Sequence, residues 1–93
     1  MSAYQDIVLA IVREQENIIG PVALEQANSI SGLVVNFDNN QVEISGDPQT
    51  AITKLVEGYR QLFGNISVDV CKSVVHRVAP NIAQDELPAV LRG

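Results

Sequence analysis

The sequence has no tryptophan, a single cysteine, a single histidine and only six basic residues among 93, and each scarcity removes a class of function. One cysteine, Cys71, cannot form an internal disulfide framework and fits a reduced setting. One histidine, His76, cannot build a histidine-based metal site within a single chain. The bases Arg13, Lys54, Arg60, Lys72, Arg77 and Arg92 are interleaved with acids and form no run, whereas nucleic-acid binding needs cations gathered on one face to displace counterions. Aromatic residues are limited to Tyr4, Phe37, Tyr59 and Phe63, so the core must be aliphatic and economical. Long hydrophobic runs are also missing: Ile7 to Val12 is short and lies between Asp6 and Arg13, too brief for a spanning helix or a signal peptide. These absences lead to an expectation of a cytoplasmic protein that binds no cofactor, metal, membrane or nucleic acid.

What remains is a chain rich in aliphatic residues, 46% hydrophobic, with a net charge of −5. That composition excludes disorder and, at this length, specifies one small domain over residues 1–93. The charge is unevenly distributed. Residues 1–46 hold Asp6, Glu14, Glu16, Glu25, Asp38 and Glu43 against Arg13 alone, while acids and bases balance in the remainder. A core this small and poor in aromatics makes oligomerisation an expectation.

Periodicity divides the chain into elements. Ser2 and Gln5 have the spacing of a capping box, and Tyr4, Ile7, Val8, Ile11 and Val12 recur as the buried stripe of a helix from about Ala3 to Asn17. Gly20-Pro21 interrupts it, and a second helix is expected over about Pro21 to Ile30, ending at Ser31-Gly32. From Leu33 the period falls to two: Leu33, Val35 and Phe37, then Val42 and Ile44 beyond Asp38-Asn39-Asn40, predict a β-hairpin with a loop of two to four residues. Asp47 and Pro48 cap and open a long amphipathic helix whose apolar face comprises Ala51, Ile52, Leu55, Val56, Tyr59, Leu62 and Phe63, with Gly64 as its stop. Residues 66–70 fit either a third strand or the start of a helix capped by Asn65; the helix is the expected reading. A short helical turn near Ile82 to Leu87 and a loose end over residues 88–93 complete an α+β fold.

Chemistry-bearing residues are few. Asp69, Lys72, Ser73 and His76 fall at i, i+3, i+4 and i+7, which puts the letters of a hydrolase triad on one helix face, but side chains on one face point outward in parallel and do not converge. Cys71 reads as a small buried apolar residue. Gly46-Asp47-Pro48 stands where a helix N-terminus can hold phosphate, yet the Asp47 carboxylate would occupy the free amides. Asp38, Asn39, Asn40 and Glu43 lack the alternating ligands and bend glycine of a calcium loop. The sequon Asn65-Ile66-Ser67, without a secretion signal, reads as chance.

The expectation that follows is a non-enzymatic interaction or assembly module. A two-stranded sheet leaves two edges to be paired, and the hairpin carries apolar residues on both faces, so Val34, Asn36, Val42 and Ile44 are the expected interface with a second copy or with another protein. The alternative is a small-ligand sensor in which Leu55, Tyr59 and Phe63 line an apolar pocket beneath the hairpin.

Overall fold

The computed structural model describes residues 3–92 as four α-helices and one antiparallel hairpin, the expected α+β arrangement. The helices are α1 (Ala3–Ile19), α2 (Val22–Asn28), α3 (Pro48–Phe63) and α4 (Asn65–Val78); the strands are β1 (Leu33–Asn36) and β2 (Gln41–Ile44). Residues 66–70 are helical, so the third-strand alternative is not formed. The capping role assigned to Ser2 lies outside the described residues.

Helix α1 runs two residues further than expected and buries Ile7, Val8, Ile11, Val12 and Gln15. It packs against α2, α4 and β2, while α4 also packs on α3. Pro21 ends one helix and opens the next, its fixed φ of −59° serving the first turn of α2. At the head of α3, the Asp47 carboxylate accepts from the Thr50 amide at 3.1 Å and the Thr50 hydroxyl at 2.7 Å, satisfying a backbone donor that the helix itself leaves free. Gly64 closes α3 with φ +86° and ψ −174°, a backbone state open almost only to glycine, and the chain turns directly into α4. Asn65 is the first residue of α4 and provides no side-chain cap; the carbonyl of Gly64 instead accepts from the Ser67 amide at 3.1 Å.

The hairpin register pairs Leu33 with Ile44, Val34 with Glu43, Val35 with Val42 and Asn36 with Gln41. Directly opposed residues share a face, so Leu33, Val35, Val42 and Ile44 turn inward and Val34, Asn36, Gln41 and Glu43 outward. The loop is four residues, Phe37 to Asn40, with Asn40 at φ +52°. Arg13 of α1 fastens it, its guanidinium lying 4.6 Å over the Phe37 ring and donating to the Asn40 side-chain oxygen.

Residues 88–93 were expected to be loose, but the described part is docked. Ala89–Leu91 forms a 3-10 turn after a similar one at Gln84–Glu86, and Leu87, Pro88 and Leu91 are buried. The Tyr4 hydroxyl and the Gln49 carboxamide both donate to the Glu86 carbonyl, at 2.7 and 2.9 Å, and Arg92 Nε donates to the carbonyls of Gln84 and Leu87. Burial of Leu87, Pro88 and Leu91 and the hydrogen bonds from Tyr4, Gln49 and Arg92 together oppose the ordering entropy of this segment.

Candidate functional site

The expected hairpin interface is divided between the two faces of the sheet. Val34, at 53% exposure, and Asn36 face outward; Val42 is buried against the core and Ile44 is half-buried against it. Val42 joins the inner face because it opposes Val35, a consequence of the four-residue loop that the sequence left open. The edges are not vacant either. On β1, the Leu33 amide donates to the Ile30 carbonyl, and the Asn28 side chain accepts from the Val35 amide at 2.8 Å while donating to the Val35 carbonyl at 3.1 Å. On β2, the Gln5 carboxamide donates to the Val42 carbonyl at 3.0 Å. Side-chain amides from α2 and α1 thus stand where neighbouring strands would lie, leaving Val34 as the apolar remnant of the outer face.

The helix face bearing Asp69, Ser73 and His76 is exposed, with Lys72 half-buried beside it. No hydrogen bond joins His76 to Ser73 or to Asp69 among the described residues, and the side chains follow α4 without meeting. Cys71 is fully buried, and that burial pushes its thiol up to about 11, with the Gln15 carboxamide at 3.7 Å opposing the shift. A thiol held neutral at physiological pH is not a nucleophile. Burial also raises Tyr59, whose hydroxyl donates to the Ala23 carbonyl at 2.7 Å. Tyr59 and Leu55 are closed off from solvent and Phe63 lies at the surface, so the pocket expected beneath the hairpin is filled by its own lining. Open clefts of about 480 and 540 Å³ flank the C-terminal segment, the first lined by Lys54, Thr50 and Arg92 and the second by Glu57, Arg60, Asp69 and Lys72. No group of three or more His, Cys, Asp or Glu converges among the described residues, and no helix there is long and apolar enough to cross a membrane.

The strongest surface feature lies at one end of the helical layer. Gln15 Nε2 donates to the Ser67 carbonyl, bringing the last turn of α1 to the first turn of α4. The Tyr59 hydroxyl bond to Ala23 likewise brings the last turn of α3 to the first turn of α2. Both interhelical corners, Gly20-Pro21 and Gly64, therefore fall at the same end. Around them stand Ile18 (57% exposed), Val22 (39%), Leu62 (54%), Phe63 (38%) and Ile66 (70%), five of the seven large hydrophobic residues exposed among those described. Segments 17–24 and 61–68, which build this end, contain no Asp, Glu, Lys or Arg.

Leu62 and Phe63 were expected in the core because they continue the helical period of α3. They are exposed because α2 meets this end of α3 at Tyr59 and the chain turns back at Gly64, which leaves the sides bearing Leu62 and Phe63 without a covering element. In α4 the inward stripe is Ser67, Cys71, Val74 and Val75, which leaves Ile66 outside. The sequence did hold a signal, two charge-free runs each centred on a helix corner, but it becomes a patch only when the corners meet.

Comparison with protein-family models, curated proteins and solved structures returned no match.

Proposed function

We propose that the chain is a non-enzymatic protein-interaction module that works through its uncharged apolar end. The observation that carries this reading is the exposure of Ile18, Val22, Leu62, Phe63 and Ile66 on two segments, 17–24 and 61–68, that carry no charged residue. A chain of this charge has acids enough to keep its surface wet, and contiguous exposed apolar area is what soluble proteins retain for contact with a partner. The hairpin is weaker ground for the same role, since Asn28 and Gln5 already engage its edges. A ligand-sensor reading has less support, because the core around Leu55 and Tyr59 is closed.

The test is the mass of the particle that holds the chain in an untreated extract of its own cells, read by native electrophoresis. The wild type is expected in a particle larger than 10.1 kDa, and the Leu62→Glu and Ile66→Glu variants at the mass of the chain itself. Wild type and variants all running at the chain's own mass would overturn the reading.

A further inference from the structure

We infer that the cleft between the first half of α3 and the C-terminal segment binds a small hydroxylated oxyanion, a phosphate monoester or a carboxylate, at Lys54 and Arg92. The site is separate from the apolar end, since Leu62 and Phe63 stand in the last turn of the same helix.

Charge singles this cleft out. The chain carries a net −5, so most of its surface repels anions. Of four open clefts on the described residues, the one of about 540 Å³ sets Arg60 and Lys72 against Glu57 and Asp69, and those of about 290 and 400 Å³ hold more acids than bases. Among these four, only the cleft of about 480 Å³ has cations in excess, Lys54 and Arg92 against Asp47.

Both cations are unspent. Arg92 Nε donates to the carbonyls of Gln84 and Leu87, each at 2.9 Å, which fixes the guanidinium to the docked segment. Its Nη nitrogens make no hydrogen bond or ion pair among the described residues, and neither does the Lys54 ammonium. A guanidinium anchored at Nε presents its remaining donors pre-oriented, the arrangement that suits a planar carboxylate or a phosphate.

The rest of the polar lining accepts. Asp47 takes both of its Thr50 bonds on Oδ2, leaving Oδ1 open. The Thr50 hydroxyl proton is committed to Asp47 and that of Thr53 to the Gln49 carbonyl, so both hydroxyl oxygens offer only lone pairs. Asp47 and Lys54 lie about 10 Å apart along α3, two turns, with Thr50 between them. The complementary ligand therefore sets its oxyanion at Lys54 and Arg92 and directs hydroxyl donors toward Thr50 and Asp47. A bare anion would leave these acceptors unused. The volume falls within the range of small-molecule sites, and because the cleft is open and both cations are exposed, a dissociation constant on the order of 1 mM is expected.

The test is a titration of the isotope-labelled full chain with glycerol phosphate, inorganic phosphate and glycerol, read by amide chemical shifts at an ionic strength held constant with sodium chloride. Glycerol phosphate is expected to shift the amides of Thr50 to Lys54 and of Ala89 to Arg92 saturably, inorganic phosphate to act at the same amides several-fold more weakly, and glycerol to have no saturable effect. Lys54→Gln and Arg92→Gln are each expected to weaken binding about fivefold or more, and Lys72→Gln, in the neighbouring cleft, to leave it unchanged. Lys54→Gln alters an exposed side chain that makes no bond, so it tests the site even where Arg92→Gln loosens the segment. The absence of a saturable shift up to about 50 mM of either phosphate overturns the inference. Binding that survives Lys54→Gln, or that Lys72→Gln weakens equally, overturns it as well. Equal affinity for the two phosphates overturns the hydroxylated class and the part assigned to Asp47.

Discussion

The carboxamide of Asn28 grips both backbone groups of Val35, accepting from its amide at 2.8 Å and donating to its carbonyl at 3.1 Å. One side chain thereby satisfies the outward-facing polar groups of a strand residue that has no strand beside it. Asn28→Ala removes both bonds and is expected to cost about 1–2 kcal/mol in urea unfolding, with the denaturant slope unchanged. Asn28→Asp keeps the acceptor but sets a carboxylate oxygen against the Val35 carbonyl, so it should be no more stable than the alanine variant. A loss below about 0.5 kcal/mol in both would mean that water replaces the clasp at no penalty.

Cys71 makes stability depend on alkaline pH. Its thiol is raised in the folded state to about 11, so above the ordinary thiol range the unfolded chain releases a proton that the folded chain retains. The folded state then binds more protons, and stability is full below the unfolded-state value and falls as pH climbs toward 11, by at most about 1.4 kcal/mol per pH unit from this group. Urea midpoints measured from pH 8 to 10 should fall more steeply in the wild type than in Cys71→Ala, since the ionisation of unfolded Tyr59 near the top of this range is common to both proteins. Equal slopes in the two proteins would show that Cys71 does not contribute.

Gly64 should not tolerate a side chain, although there is room for one. A Cβ at this position meets nothing within 4 Å, so the whole penalty of Gly64→Ala is the backbone state at φ +86° and ψ −174°. That state costs a non-glycine residue about 1–3 kcal/mol, a loss that urea unfolding would register. An unchanged midpoint would mean that the corner between α3 and α4 relaxes to another conformation.

Leu91 tests whether the C-terminal segment belongs to the core. It is 3% exposed, and Leu91→Ala is expected to destabilise by about 2–3 kcal/mol, near the lower end for buried leucines because a terminal turn can settle into the space. A loose tail would give a change within about 0.5 kcal/mol.

The hairpin, α3 and the stripe of α1 were legible because each depends on periodicity and on residues adjacent in sequence: Leu33, Val35, Val42 and Ile44 alternate, and Asp47-Pro48 announces a helix. The side-chain bonds were not legible. Nothing local says that Asn28 will meet Val35, or that Gln5 will reach Val42 across much of the chain, since a carboxamide carries no preference for one backbone group until the helix bearing it is placed. Leu62 and Phe63 show the same limit for apolar residues. Period tells which side of a helix they occupy, whereas burial depends on whether a neighbour extends that far. The tail was misread because Pro88 and a polar approach resemble a frayed end, and the tertiary contacts of Leu87 and Leu91 decide otherwise.

The carboxamide clasps on β1 and β2 also bear on how far any assembly of this chain can grow. A sheet that recruits strands at its edges extends without limit, one copy templating the next into a fibre. Here an added strand would first have to displace Asn28 from Val35 or Gln5 from Val42, so the route to open-ended stacking is obstructed by the protomer's own helices. The same fold thus disfavours a filament built on its sheet edges.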